Sequence, residues 1–170
     1  MAKKHRAAGP TRAIEALEAA GVDYTVHEYV HSARSRSFGE EAAEQIGGDP
    51  GRMFKTLLVR CEGNGAGEEY VVAVVPVDHH LSMKAIARAA GHKSAEMADP
   101  QVAQRRTGYV VGGISPLGQT TGHRTFIDDS ALDHDTVLVS GGKRGMSVEL
   151  SPLDLAEVTD ADTADLRALD

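Results

Sequence analysis

Tyr109-Val110-Val111-Gly112-Gly113-Ile114-Ser115-Pro116-Leu117-Gly118 is the stretch on which the reading of this chain turns. It opens as an apolar run of β character and ends in a turn. Gly112 and Gly113 permit positive φ and a close approach of the backbone to a neighbour. Pro116 fixes its own φ and keeps Ser115 extended. A stiff loop with so little side-chain bulk can aim main-chain N–H groups at one point, where they stabilise an oxyanion or hold a phosphate. The same composition also describes a plain tight turn between two strands.

On the N-terminal side, Asp99-Pro100 reads as an N-cap with Pro in the first helical position, opening a short helix to Arg106. Leu81 to Ala90 is a helix stopped by Gly91. Tyr70 to Val77 is almost continuously apolar, which predicts a central strand buried on both faces. Phe54 to Val59 is a short apolar strand with Lys55 inside it, followed by a Gly-rich hairpin loop over Cys61 to Glu69. Ser37-Phe38-Gly39-Glu40 has capping-box spacing and opens a helix through Ile46. Tyr24 to Tyr29 alternates as a strand, with Tyr24 and Val26 on one face. Thr11 caps a helix that runs to Ala20 and ends at Gly21.

On the C-terminal side, Thr125 to Asp128 is a strand whose last residue, with Asp129, turns the chain or binds a cation. Thr136 to Val139 and Met146 to Leu150 are strands joined through Ser140-Gly141-Gly142-Lys143-Arg144-Gly145. Ser151-Pro152-Leu153-Asp154 caps a last helix, and the acidic end, Thr159 to Asp170, is expected to fray. Strands and helices mix without a regular βαβ period, and there is no internal repeat or linker. The expected fold is a single α+β or mixed α/β domain over residues 11–166, behind a loose basic tail over residues 1–10.

Composition narrows the function classes. A chain of 170 residues can bury a sizeable core, and with aromatics at 4% and no Trp that core must be aliphatic. A net charge of −7 argues against non-specific nucleic-acid binding, so an RNA partner needs a local basic patch. The single Cys61 excludes an intramolecular disulfide and a CxxC metal site, and fits a reducing, cytoplasmic setting. No apolar run is long enough to span a membrane. The basic start has no apolar segment behind it and is not a secretory signal.

Lys55 is the most informative single residue, because a lysine among apolar neighbours on a strand needs a polar destination. It is either a pocket cation for an anionic or carbonyl group, or an amine that snorkels past the strand edge. The Ser140–Gly145 hairpin offers amides and two cations, Lys143 and Arg144, suited to phosphate, or it is a solvated turn; P-loop spacing is absent. His79-His80 are adjacent and diverge, His27 and His31 share no helix, and no Cys supports them, so neither metal nor cofactor is expected. Cys61 reads as a spectator.

Phe54-Lys55-Thr56-Leu57-Leu58-Val59, Glu96-Met97-Ala98-Asp99-Pro100, Val102-Ala103-Gln104-Arg105, Thr107-Gly108-Tyr109, Gly112 to Gln119 and Val139 to Gly145 occur in that order. Together they resemble the YbaK branch of the bacterial YbaK/ProX family, the cysteinyl-tRNA(Pro) deacylases. The likeness runs from about Thr11 to about Leu166. It implies a mixed, twisted, partly barrel-like sheet flanked by helices, similar to the editing domain of bacterial prolyl-tRNA synthetases. It implies a trans-editing enzyme that clears Cys-tRNA(Pro), with aminoacylated tRNA(Pro) and prolyl-tRNA synthetase as partners.

By the same resemblance, Lys55 matches the pocket lysine and Gly112 to Pro116 the family's G-x-x-x-P loop, with Gly113 and Ser115 inside it. Tyr29 and Phe38 match pocket aromatics, and Ser140 a polar pocket residue. Thr56, Lys143, Arg144 and Ser147 complete the expected substrate-binding set. Ser147 stands where relatives can carry Asp, and Thr120 to Arg124 departs from the family pattern. Two other readings stay open: an Ala-tRNA(Pro) deacylase of the ProX type, and a module that binds aminoacyl-tRNA or the synthetase without cleaving.

Overall fold

The apolar run at 70–77 sets the architecture. In the computed structural model, which describes residues 10–29, 49–65 and 67–169, it forms β3 (Glu69–Pro76), the middle of a five-stranded sheet. β2 (Phe54–Glu62) pairs antiparallel with β3 on one side and with β4 (Ser94–Met97) on the other. Beyond β3, β5 (Thr125–Asp128) and then β8 (Asp162–Ala164) add in parallel. Val71 to Val75 are all essentially inaccessible. Val72 and Val74 pack with Ile14, Leu17, Leu58 and Ile127. Val71, Ala73 and Val75 pack with Ile86, Phe126 and Leu166, so β3 is buried on both faces, as its composition predicts.

A second sheet has the order β1 (Thr25–Glu28), β7 (Met146–Leu150), β6 (Val137–Ser140), with both pairings antiparallel. A parallel bridge between Met53 and Leu138 joins it to the entrance of β2. The expected mixed sheet is therefore two sheets meeting at one corner. The four helices among the described residues follow their caps. α1 (Arg12–Ala20) starts where the Thr11 hydroxyl accepts from the Ile14 amide and stops at Gly21, φ +70°. Ser82 caps α2 (Met83–Ala90), Asp99 caps α3 (Pro100–Thr107) and Ser151 caps α4 (Pro152–Thr159).

Several expectations need correction. Tyr109–Val111 is not a strand. Gly108 leaves α3 in the left-handed region, the Tyr109 hydroxyl donates to the Leu117 carbonyl at 2.5 Å, and the Gly113 amide donates to Val110 at 2.9 Å, which closes a turn. β2 runs on to Glu62, so Cys61 sits in a strand and not in the loop. Leu81 precedes α2 and bridges to Arg167. β4 carries no apolar pattern and was not expected. The acidic end is anchored: β8 pairs with β5, Leu166 is fully buried, and its amide donates to the Asp128 carboxylate at 2.8 Å. The other Asp128 oxygen accepts from Ser130, so this aspartate turns the chain and ties down the C-terminal segment. The helix read over Ser37 to Ile46 lies outside the described residues. Among the described residues no helix is long and apolar enough to cross a membrane.

Candidate active site

Where the two sheets meet there is a cavity of about 510 Å³. One wall is the first half of β2, Phe54 to Leu58. β4 pairs only with Val59 to Glu62, so this half presents a strand edge, and residues from both of its faces border the cavity. Lys55 lies here, half-buried, and pairs across the sheet with Val75. Its neighbour Thr56 is buried, and among the described residues its hydroxyl has no hydrogen-bond partner. An unpaired buried hydroxyl is costly, and a polar atom in the cavity would relieve it.

The opposite wall is the glycine loop, through Val111, Gly112 and Ile114, with Val139 and Ser140 of β6 and Ser147 of β7 beside it. The loop is held at many points. Gly112 has φ +89°, a conformation that disfavours any side chain. A Cβ on Gly113 would lie 2.8 Å from the backbone of Lys143, so the loop is stacked directly on the 141–145 turn. Arg144 Nε donates to the Val111 carbonyl at 2.8 Å, and the Val111 amide donates to Gln104 Oε1 at 2.9 Å. Ser115 is fully buried, its hydroxyl accepting from the Leu117 amide. Burial pushes the Tyr109 phenol up to about 12, so it stays a hydrogen-bond donor to the loop.

Of the residues expected at the site, Tyr29, Lys55, Thr56, Gly112, Ser140 and Ser147 border this cavity. Gly113, Ser115, Lys143 and Arg144 do not; they pack behind the loop and hold it. Phe38 lies outside the described residues. Of the loop amides from Gly112 to Ser115, that of Gly113 is engaged by Val110, while those of Gly112, Ile114 and Ser115 meet no backbone acceptor among the described residues, and of these three residues Gly112 and Ile114 border the cavity. Cys61 is inaccessible, and burial raises its thiol pKa, which suits a spectator.

Asp78 and His79 also border the cavity, and sequence reasoning weighed this histidine only as a metal ligand. The Val77 amide donates to the Met53 carbonyl at 2.8 Å, which continues the β2–β3 pairing one step beyond Phe54 and Pro76 and sets the start of the 78–80 segment. His79 Nδ1 lies 2.8 Å from Asp78 Oδ1. The available signal was a polar Asp-His-His directly after an apolar strand antiparallel to the one with Lys55.

The cavity has mostly apolar walls with a few convergent polar groups, the usual character of a ligand site. Residues 34–158 match the aminoacyl-tRNA editing domain family. The chain belongs to that family. This editing domain is 36% identical over 166 residues to EbsC of Enterococcus faecalis (strain ATCC 700802 / V583), spanning 98% of both chains. EbsC is named as a candidate Cys-tRNA(Pro)/Cys-tRNA(Cys) deacylase. A solved structure described as a candidate trans-editing enzyme for prolyl-tRNA synthetase superposes with a TM-score of 0.79 at 26% identity, covering 93% of this chain and 96% of that one. The solved hypothetical protein APE2540 gives a TM-score of 0.79 at 27% identity, covering 93% and 100%.

Proposed function

We propose that this editing domain is a trans-acting aminoacyl-tRNA deacylase that clears Cys-tRNA(Pro) in the cytoplasm. The observation that carries the reading is that Lys55 and the Gly112 loop border one cavity in a chain of the aminoacyl-tRNA editing family. The likeness to EbsC favours cysteine as the amino acid removed.

An aminoacyl ester is already activated, and cysteine brings its own nucleophile. Its thiolate attacks its own carbonyl carbon, the ester C–O bond breaks, the tRNA 3′ oxygen leaves and takes a proton, and the cysteine departs as a cyclic thiolactone. The protein's task is to fold the ester into that pose and to stabilise the oxyanion. Lys55 anchors the terminal ribose or phosphate. The amides of Gly112 and Ile114 are the oxyanion donors, and the rigid packing of Gly113 and Ser115 fixes their direction. Tyr29, Thr56, Ser140 and Ser147 shape the amino-acid end. Selectivity for tRNA(Pro) comes from a complex with prolyl-tRNA synthetase.

The test is deacylation of Cys-tRNA(Pro), Ala-tRNA(Pro) and Ser-tRNA(Pro) by the purified protein. The expected order places cysteine far ahead, because a hydroxyl is a much poorer nucleophile than a thiolate near neutral pH. A preference for alanine would require hydrolysis by water and a ProX-type activity. No cleavage of any ester, with tRNA still bound, would make the protein a binding module.

A further inference from the structure

A second concave feature lies one helical turn along α3 from the cavity. Ala103 borders the cavity, and Arg106, about 5 Å further along the axis, borders a cleft of about 350 Å³ with Glu68, Glu69, Tyr70, His123 and Arg124. The segment Thr120 to Arg124, where this chain departs from the family pattern, supplies His123 and Arg124.

The charges in this cleft are unequal in their freedom. Arg124 donates from Nε and Nη2 to Glu69 at 2.9 and 2.8 Å and from Nη2 to the Ala90 carbonyl at 2.6 Å, so three of its five N–H groups are engaged within the fold. Glu69 also meets His92 Nε2 at 2.9 Å, and Glu68 accepts from Arg60 at 2.6 Å. Both carboxylates thus have partners within the fold, although Glu68 shares Arg60 with Glu62 and Glu96. Arg106 differs. Its guanidinium carbon lies 4.5 Å over the centroid of the Tyr70 ring, and its Nε donates to His123 Nε2 at 3.2 Å. The other ring nitrogen of His123 lies 2.8 Å from Gln119 Oε1 and donates to it, which fixes the tautomer. Burial, then the Arg106 charge, lowers the His123 pKa and keeps the ring a neutral acceptor. Among the described residues the two terminal nitrogens of Arg106 have no acceptor. Of the two guanidiniums in the cleft, Arg106 is therefore the one oriented from its face and from its Nε with both terminal nitrogens unused.

We propose that this cleft binds a backbone phosphodiester of the RNA substrate, with Arg106 as the donor fork and Tyr70 and His123 as its supports. The inference rests on the reading that an aminoacyl-tRNA 3′ end enters the neighbouring cavity. A planar guanidinium with two parallel free donors matches the paired oxygens of a phosphodiester. Holding it in place beforehand lowers the entropy lost on binding. On a protein of net charge −7, phosphate attraction has to come from such local sites.

Binding of an uncharged tRNA(Pro) transcript is measured across a salt series for the parent, Arg106→Gln and Arg106→Lys. Arg106→Gln is expected to bind about tenfold more weakly at low salt, with the slope of log K against log salt reduced by about one. Arg106→Lys is expected to keep the slope and recover only part of the affinity, since a point charge replaces the fork. In deacylation, Arg106→Gln should raise KM for full Cys-tRNA(Pro) and leave kcat in place. The loss should vanish on cysteinyl adenosine, which lacks the phosphodiester. An Arg106→Gln protein with the parent salt slope, or an equal loss on both substrates, would overturn the proposal. So would Arg106-dependent binding of polyglutamate as tight as that of the tRNA, which would make the fork a carboxylate site. If no ester is cleaved, the titration still decides the cleft; if esters are cleaved and Arg106 is silent, the cleft assignment fails alone.

Discussion

Lys55 and Arg60 stand five residues apart on β2, and the fold uses the two cations in opposite ways. Arg60 lies where β2 is flanked by β3 and β4, and its guanidinium meets Glu68 at 2.6 Å, Glu96 at 2.7 Å and Glu62 at 3.2 Å. It ties the 63–68 loop and the edge strand to β2. Lys55 lies before β4 begins, where the strand edge borders the cavity. The wall around it is largely apolar, with Asp78 as its one carboxylate among the described residues. A cation surrounded by carboxylates holds a surface together; a cation in a cavity wall is placed to meet what enters, which is the role proposed for Lys55. Where the partner strand stops decides which surroundings a position on β2 receives.

Exchanging the roles should give the largest effect. Lys55→Ala is expected to lower kcat/KM on Cys-tRNA(Pro) by about 100-fold or more, the scale of losing one positioned electrostatic group. Its melting temperature should stay close to the parent's, because the side chain is not part of the core. Arg60→Ala should keep parent activity with a small change in melting temperature, as exposed ion pairs contribute little. Parent-like rates for Lys55→Ala, or a comparable loss for Arg60→Ala, would break the contrast.

That contrast was only half legible in the sequence. Local chemistry wrote the helix ends: Thr11, Asp99 and Ser151 are caps that satisfy amides within three residues, and Gly21 and Gly91 are left-handed stops. The central strand followed from an uninterrupted apolar run. The cavity depends on where β4 ends, and β4 reads Ser-Ala-Glu-Met, three of its four residues exposed, with nothing periodic to reveal it. It exists because backbone groups pair with β2 across some 35 residues of sequence, a relation no local pattern encodes. The end at Asp162–Ala164 was misread for the same reason: its order comes from β5 and from Asp128, far away in the chain. Tyr109–Val111 misled in the other direction. Its apolar side chains serve a loop whose shape is set by Gly108, Gly113 and the Tyr109 hydroxyl.

The glycine loop gives the next largest effect and tests whether rigidity lies behind the cavity wall or in it. Gly113→Ala would push a methyl to 2.8 Å from the Lys143 backbone, which cannot yield as a side-chain tip can. It should cost about 1–3 kcal/mol of stability, read from denaturant midpoints. Gly112→Ala meets strain at φ +89° of similar size, and because Gly112 borders the cavity it should also lower turnover. Equal stability losses with turnover intact in both would make the loop purely structural.

A third test sets the exposed Arg60 hub against a half-buried one in the second sheet. Burial alone would raise the pKa of Glu149, yet Thr136, His27 and Arg52 at 2.6, 2.7 and 2.9 Å hold it at about 2. A folded-state pKa below the unfolded value means stability that is fully present above about pH 4.5 and is lost as pH falls toward 2. The loss should be on the order of 2 kcal/mol after allowance for partial exposure. Glu149→Gln should flatten the acid limb of a stability–pH curve over that window. An unchanged acid limb would mean that the hub contributes no more than a surface pair.

The smallest effect is expected at the far end of β2, on the residue that chemistry alone would nominate as a nucleophile. Cys61 neighbours Arg60 in sequence, and a nearby cation can lower a thiol pKa. Here the reverse holds: burial, then the Glu69 charge, raises it, with Arg124 opposing. The side chain is inaccessible and packs against Val59, Val71, Ile86 and Phe126 on the sheet face covered by α2. Lys55 is six residues back along an extended strand, roughly 20 Å at strand rise, so one carbonyl cannot touch both. Cys61→Ala should therefore deacylate Cys-tRNA(Pro) at the parent rate, with only a small loss of stability for a trimmed core atom. Replacing cysteine by serine on the tRNA should instead slow release sharply, because there the sulfur is the attacking atom. On the proposed mechanism, sulfur removed from the protein should be harmless and sulfur removed from the substrate costly. A folded but inactive Cys61→Ala protein, or an acyl group trapped on Cys61, would require a covalent mechanism and would move the reacting centre away from Lys55.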